Sequence, residues 1–226
     1  MNLSFIIYPI TFILALCSIV YELILAQSLA AFLENTVLRY SITIGLYMCS
    51  MGFGALAAER FTKNPIITLL RIEILLVLTG GFSLIFLHMV DYFSSERIVL
   101  SLCAHMLILG VGFLTGFEIP LLMAIKGKDA EHSLLGINYF GAFCGTIIFA
   151  FIFYPRLGLM ASAFLTGAMN GAAGILLATQ HKQVEDQEKS QYYNLLSVQT
   201  ILFVGIVICF MYAKPIGQFF IDQYMR

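Results

Sequence analysis

Seven long apolar runs, separated by short polar gaps, dominate this 226-residue chain. A helix that crosses a bilayer needs about 20 mostly apolar residues. Because every sizeable polar break falls between the runs, helices and not β-strands are predicted to span the membrane. The sequence therefore predicts an all-α, polytopic helical membrane protein with about seven transmembrane helices. The predicted spans are 5–32, 40–58, 66–89, 98–125, 134–153, 158–178 and 195–213.

The composition excludes an ordinary soluble domain. Hydrophobic residues make up 60% of the chain and charged residues only 11%, whereas soluble domains average about 45–50% and about 25%. The net charge of −1 leaves no basic excess that would favour nucleic acid. We therefore expect the lipid bilayer as the main partner and expect no nucleic-acid partner.

The polar breaks also suggest how the chain is organised. Residues 1–179 are predicted to form a six-helix membrane core, 180–194 a polar linker, and 195–226 a seventh transmembrane helix with a tail. The first apolar run has no Lys or Arg before it and is longer than the about 7–15 residues of a signal peptide, so we expect it to remain as a span. A slight excess of Lys and Arg in the even-numbered gaps favours a cytoplasmic N-terminus in the inner cell membrane.

Two acidic residues lie well inside apolar spans, Glu22 in the first and Glu118 in the fourth. A carboxylate at that depth costs about 2.5–3.5 kcal/mol unless it is paired, protonated or in contact with a wet cavity. Pro120 removes a backbone donor close to Glu118 and is predicted to kink that helix. Either glutamate alone could simply fix helix packing, but two in similar local contexts favour a functional role.

The positions of Glu22 and Glu118 are compatible with an internal repeat. Each glutamate lies in the C-terminal half of the first helix of a three-helix set, in 1–97 and 98–179. Units with an odd number of spans run in opposite directions across the membrane, which is the arrangement of an inverted 3+3 repeat. Similar composition alone could produce the same pattern, so the repeat is a hypothesis.

Other polar and small residues favour packing roles. His105 and Asn170 are expected to make interhelical hydrogen bonds more readily than to bind a ligand. Arg71 and Glu73 begin the third span and are expected to reach toward the membrane interface. Pairs of glycines four residues apart predict faces at which helices approach closely, and they are Gly112 and Gly116, Gly141 and Gly145, and Gly167 and Gly171.

Motifs for catalysis, cofactors and metals are missing from the sequence. Its five cysteines are far apart within apolar runs and form no CxxC pair, so they are interpreted as packing residues. There is no phosphate-binding loop, dinucleotide fingerprint or GxSxG nucleophile motif. We expect no cofactor and no metal, and an enzyme built from this chain would need an intramembrane site.

Three segments resemble a known family. They are YELILAQSLAAFLENTVLRYSITIGLYMCSMGFGALAAERF, GFLTGFEIPLLMA and LLGINYFGAFCGTIIFAFIFYPRLGL. In this order, over about residues 18–160, they resemble the transmembrane region of the bacterial membrane-bound spermidine synthase-like (polyamine aminopropyltransferase-like) family. In that family a soluble catalytic domain follows the helices, and this sequence shows neither its Gly-Gly-Gly-Asp-Gly type loop nor its acidic catalytic residue.

The resemblance implies a shared membrane core and a polyamine as the solute. Asn138 stands where Asp is common in the family, and two buried carboxylates suit an organic polycation electrostatically. The matching positions are Tyr21, Glu22, Glu118, Pro120, Asn138, Gly141 and Gly145.

These observations lead us to expect a non-catalytic membrane protein that binds or transports a small cationic solute such as a polyamine. One alternative is an accessory subunit whose helices pack against other membrane proteins or in a homo-oligomer, and another is an intramembrane enzyme. The predicted substrate-binding residues are Glu22, Glu118, Tyr21, Asn138 and His105. The predicted structural residues are Pro120, Gly112, Gly116, Gly141 and Gly145.

Overall fold

The computed structural model describes residues 3–94, 96–127, 131–177, 184 and 188–224. Within these ranges the chain consists of helices and their connections, so the prediction of an all-α fold is confirmed there. The helices are α1 (Leu3–Leu33), α2 (Thr36–Ala58), α3 (Pro65–Leu76), α4 (Ser83–Phe93), α5 (Arg97–Gly116), α6 (Glu118–Lys126), α7 (Glu131–Ile148), α8 (Gly158–Leu176), α9 (Lys189–Met211) and α10 (Ala213–Tyr224).

Two wide, π-helical segments join consecutive helices. Val77–Gly81 connects α3 to α4, and the two helices are bent by 44° at this point. Phe149–Leu157 connects α7 to α8 and contains Pro155, which has no N–H for the helical ladder. It ends at Gly158, whose φ of 77° is a left-handed conformation that glycine adopts without strain. The regular α-helical winding is therefore interrupted inside two of the chain's apolar stretches.

Helix α1 lies at the centre of the molecule. It is apolar on all sides, as a helix surrounded by others must be, and it contacts α2, α5, α6, α7 and α8. The most extensive helix contacts join α2 to α5 and α1 to α7, while α3 packs on α8. Helix α9 covers α8 and α3 from the outside.

Large apolar side chains are exposed around this helical body. Val37, Phe93, Ile98, Phe151 and Met211 are each more than 70% exposed, and soluble monomers rarely present so much apolar surface. By length and composition, five helical segments of the described chain could cross a membrane, and the bent pair Pro65–Phe93 would be a sixth.

Several predicted boundaries differ from the observed ones. The break predicted between the spans 134–153 and 158–178 lies within the π-helical segment, because this segment continues the helix as far as Leu157. Helix α9 begins at Lys189, inside the predicted linker 180–194, and 180–183 and 185–187 of that linker lie outside the described residues. The predicted tail includes a further helix, α10.

Candidate functional site

A cavity of about 470 Å³ lies between α1, α2, α5, α6 and α7, and we call it the carboxylate pocket. Its volume falls within the about 300–1,000 Å³ of typical ligand pockets. Glu22 of α1, Glu118 of α6 and Asn138 of α7 all line it. The fold therefore brings three of the five predicted substrate-binding residues to one cavity, although residues from five different helices contribute to it.

Glu118 occupies the first turn of α6, where the helix restarts after Phe117. Its side chain is only 3% exposed, and its Oε1 atom has no hydrogen-bond partner among the described residues. Pro120 follows in the same turn and supplies no N–H to the ladder. The first turn of a helix favours a negative charge, so this position suits a carboxylate.

Glu22 approaches the carboxylate pocket from the central helix α1. Its side chain is 7% exposed, and it shares the pocket wall with Ser18, which precedes it by one helical turn. Asn138 of α7 is half-buried and also lines the pocket, beside the exposed Tyr139. The carboxylates and the Asn138 amide together offer hydrogen-bond acceptors and an amide donor to an amine-bearing ligand.

The hydroxyl group of Tyr47 joins three helices at the pocket wall. It donates to the carbonyl oxygen of Ser18 at 3.0 Å and accepts from Thr115 Oγ1 at 3.2 Å. Thr115 Oγ1 also lies 3.0 Å from the carbonyl oxygen of Gly112. Tyr47 is 1% exposed, so this network fixes α1, α2 and α5 relative to one another behind the two glutamates.

Glycines allow the helices around the pocket to approach closely. A Cβ atom at Gly116 would overlap the carbonyl oxygen of Met51. At Gly112 it would overlap Ser50 Oγ, while Gly141 faces the carbonyl oxygen of Phe12. A Cβ atom at Gly145 would meet Ile19 and the backbone of Leu16. These glycines therefore lie at the α2–α5 and α1–α7 contacts.

Two predicted site residues lie elsewhere. Tyr21 directly precedes Glu22, and successive residues of a helix point about 100° apart. Its ring accordingly packs against Gly80 on another side of α1, where it is 1% exposed. His105 lies thirteen residues before Glu118, about 20 Å along the helix, and lines a different cavity. The predictions that Tyr21 and His105 line the site with Glu22 and Glu118 are therefore not supported by the fold.

A third buried carboxylate, Glu73 of α3, was misjudged from the sequence. The expectation that Glu73 reaches the interface is wrong, because its side chain is 0% exposed and accepts a hydrogen bond from Asn170 Nδ2 on α8. Arg71, two residues earlier, is exposed. The interhelical hydrogen bond expected of Asn170 is present. Helix α3 packs against α6, and Glu73 is close enough to Glu118 to interact with it electrostatically.

Sequence reasoning missed the polar residues that accompany the two glutamates. Ser18 precedes Glu22 by four residues and Thr115 precedes Glu118 by three, which places each pair on one helix face. That spacing was the available signal, whereas the joining of Ser18 and Thr115 through Tyr47 is a tertiary contact. Among the described residues, no group of three His, Cys, Asp or Glu side chains could hold a metal ion.

Comparison with characterised proteins points to one activity. The chain is 32% identical over 173 residues to a polyamine aminopropyltransferase of Leptospira interrogans, covering 73% of this chain and 33% of that protein. It is 30% identical over 184 residues to polyamine aminopropyltransferase 1 of Streptomyces coelicolor, covering 76% of this chain and 33% of that protein. It is 29% identical over 180 residues to a polyamine aminopropyltransferase of Oceanobacillus iheyensis, covering 77% of this chain and 35% of that protein. No family model and no solved structure matches the chain.

These relatives overturn the expectation of a non-catalytic binder or transporter, because they are named as enzymes. That expectation rested on missing catalytic motifs, and the chain spans only about a third of the length of the relatives it matches. The enzyme alternative agrees better with their names. Over about three quarters of its length, this chain is a relative of the polyamine aminopropyltransferases.

Proposed function

We propose that this chain takes part in polyamine aminopropyl transfer as the membrane-embedded helical part of an enzyme. The observation that carries the proposal is the match of about three quarters of the chain to several proteins named polyamine aminopropyltransferase. The carboxylate pocket adds a chemical argument, since it presents acidic groups where an amine substrate would need them.

The apolar surface and the helix lengths support a membrane location. Five helical segments of the described chain, or six with the bent pair, have the length and composition of membrane spans. One of the five segments, Glu131–Leu176, has 46 residues. As one straight helix it would extend about 70 Å, which is more than twice the thickness of a bilayer core, about 30 Å. Two crossings by this segment, turning at Gly158, would give seven spans. The inner membrane and a cytoplasmic N-terminus remain parts of this proposal.

Reciprocal helix pairing supports the inverted repeat. In the proposed units 1–97 and 98–179, the first helix of one unit packs on the second helix of the other, as α1 on α7 and α2 on α5. The third helices also meet, as α3 on α8. A two-fold relation between the units would produce this exchange, and polar sites in such proteins gather at the repeat interface. The carboxylate pocket lies at that interface.

Aminopropyl transfer assigns distinct tasks to the pocket. A new C–N bond forms at the amine nitrogen, the bond between the aminopropyl carbon and the donor's leaving group breaks, and the amine loses a proton. Before the transfer, Glu22 and Glu118 would orient the ammonium group of the acceptor. One carboxylate then accepts the proton as a general base. The unpartnered Oε1 of Glu118 makes it the better placed group.

An isotope assay in membranes of the source cells tests the proposal. Label from an aminopropyl donor is followed into the aminopropylated products of added putrescine or spermidine, with the native chain, without it, and with Glu118→Gln or Glu22→Gln. We expect transfer to fall about 10²-fold or more when the base is replaced, and we expect the Glu22 variant to weaken the use of the amine.

Glu59→Gln is the matched control, since Glu59 is an exposed glutamate at the end of α2. It should leave transfer unchanged. Membrane-associated transfer that is the same with and without the chain would refute the proposal, whereas normal transfer in both pocket variants would refute the role of the pocket alone.

A further inference from the structure

A second cavity, of about 520 Å³, lies where α1 ends and where α2 and α5 begin, and we call it the arginine pocket. Its polar lining consists of Arg39, Arg97, Ser101 and His105, and the rest of the lining is apolar. No carboxylate is among its described lining residues. This pocket therefore carries the opposite charge to the carboxylate pocket and is unsuited to a polyamine.

The two arginines are placed to bind an anion. Arg39 lies in the second turn of α2, and its Nε atom is buried without a hydrogen-bond partner in the described chain. Arg97 is the first residue of α5. Guanidinium groups bind oxyanions through paired N–H donors, and the N-terminal ends of both helices add partial positive charge.

Ser101 and His105 continue this polar face along α5. They follow Arg97 at intervals of four residues, so all three side chains lie on one side of the helix. His105 Nδ1 lies 2.5 Å from the carbonyl oxygen of Ser101. A carbonyl oxygen only accepts, so Nδ1 carries the hydrogen, and Nε2 of the neutral ring is left as an acceptor.

We propose that the arginine pocket binds a phosphate-type oxyanion, supplied by the headgroup of an anionic phospholipid or by free phosphate. The charge-assisted donors of Arg39 and Arg97 hold the phosphate oxygens, while the Ser101 hydroxyl group supplies a hydrogen bond deeper along α5. Neighbouring apolar side chains, including Ile98 at 78% exposure, border the pocket as acyl chains would require. This proposal is independent of the proposed aminopropyl transfer.

Binding measurements on the purified full chain test this site. The first arm uses native mass spectrometry of protein exchanged with phosphatidylglycerol vesicles, and the second uses calorimetric titration with inorganic phosphate. Arg39→Gln and Arg97→Gln should each reduce binding about tenfold, as expected for losing a charge-assisted hydrogen bond. Arg97→Lys, which keeps the charge but not the paired donors, should bind with intermediate strength.

Arg156→Gln is the control, since Arg156 is an exposed arginine at the same end of the helical body but outside the pocket. If the native chain retains phosphatidylglycerol and only the Arg39 and Arg97 variants lose it, the result supports a lipid headgroup as the ligand. Saturable phosphate binding with the same pattern supports a soluble oxyanion. Absence of both kinds of binding in the native chain, or an equal loss in Arg156→Gln, overturns the proposal. Circular dichroism establishes that each variant is folded.

Discussion

The Nδ2 atom of Asn170 donates a hydrogen bond of 2.5 Å to Oε2 of Glu73, and both side chains are completely buried. This bond joins α8 to α3, and within the described chain Glu73 Oε1 and Asn170 Oδ1 have no partner of their own. The pair is thus a polar contact in an otherwise apolar interface.

Replacing Asn170 by Ala should destabilise the fold by about 1–2 kcal/mol, because Glu73 Oε2 would lose its donor while remaining buried. Denaturant unfolding in detergent, followed by circular dichroism, measures the change. Asn194→Ala removes an exposed asparagine of α9 and should have little effect. Equal stability of the Asn170 variant and the native chain would contradict the assigned role of this bond.

Gly116→Ala should destabilise the α2–α5 contact by about 1–3 kcal/mol, since the new methyl group would meet the backbone of Met51. Gly110 lies in the same helix with open space around it, so Gly110→Ala should be neutral or slightly stabilising through its helix propensity. Thermal unfolding of the two variants in the same detergent separates the effects. The prediction fails if both substitutions lower Tm equally.

Ile206 of α9 fills a gap between Gly81 and Gly167, and its Cδ1 atom lies where a Cβ on either glycine would be. Gly167→Ala should therefore lower stability by about 1–3 kcal/mol. Ile206→Val removes that Cδ1 atom and should restore part of the loss in the double variant. A thermodynamic cycle over the four proteins measures the coupling, and additive effects would contradict the direct contact.

Tyr47→Phe should cost about 0.5–1.5 kcal/mol, because the hydroxyl group that joins Ser18 and Thr115 disappears while the ring stays in place. Tyr139→Phe is the comparison, as Tyr139 lines the same pocket but is 70% exposed. Only the Tyr47 variant should unfold at lower denaturant concentration. The reverse order of stability would show that the hydroxyl network does not fix the pocket wall.

The helical nature of the chain and the approximate positions of its helices could be predicted from the sequence, because long apolar runs rarely form any other structure. The depth of Glu22 and Glu118 was equally visible, since charged residues are rare within such runs. Their meeting in one cavity depends on the pairing of α1 with α7 and of α2 with α5. That pairing arises from tertiary packing, which only the glycine spacing hinted at.

Glu73 and His105 show where pattern reasoning failed. Glu73 lies near the start of an apolar run, a position that usually permits contact with water, but α8 covers it and supplies Asn170 as a donor. His105 shares an apolar span with Glu118, although the length of α5 separates them and places His105 beside two arginines. In both cases the neighbouring helix, which is distant in sequence, determines the environment.

The π-helical turn at Val77–Gly81 constrains the number of residues between α3 and α4 as well as their identity. A π-helical turn holds more residues than the 3.6 of an α-helical turn, and here it directs Gly80 to Tyr21 and Gly81 to Ile206. Deleting the extra residue would restore the narrower α-helical winding and leave α3 and α4 in nearly the same register, but with one position fewer in the turn. Gly80 and Gly81 could not then meet both Tyr21 and Ile206, so a relative that keeps these two contacts must preserve the residue count between α3 and α4.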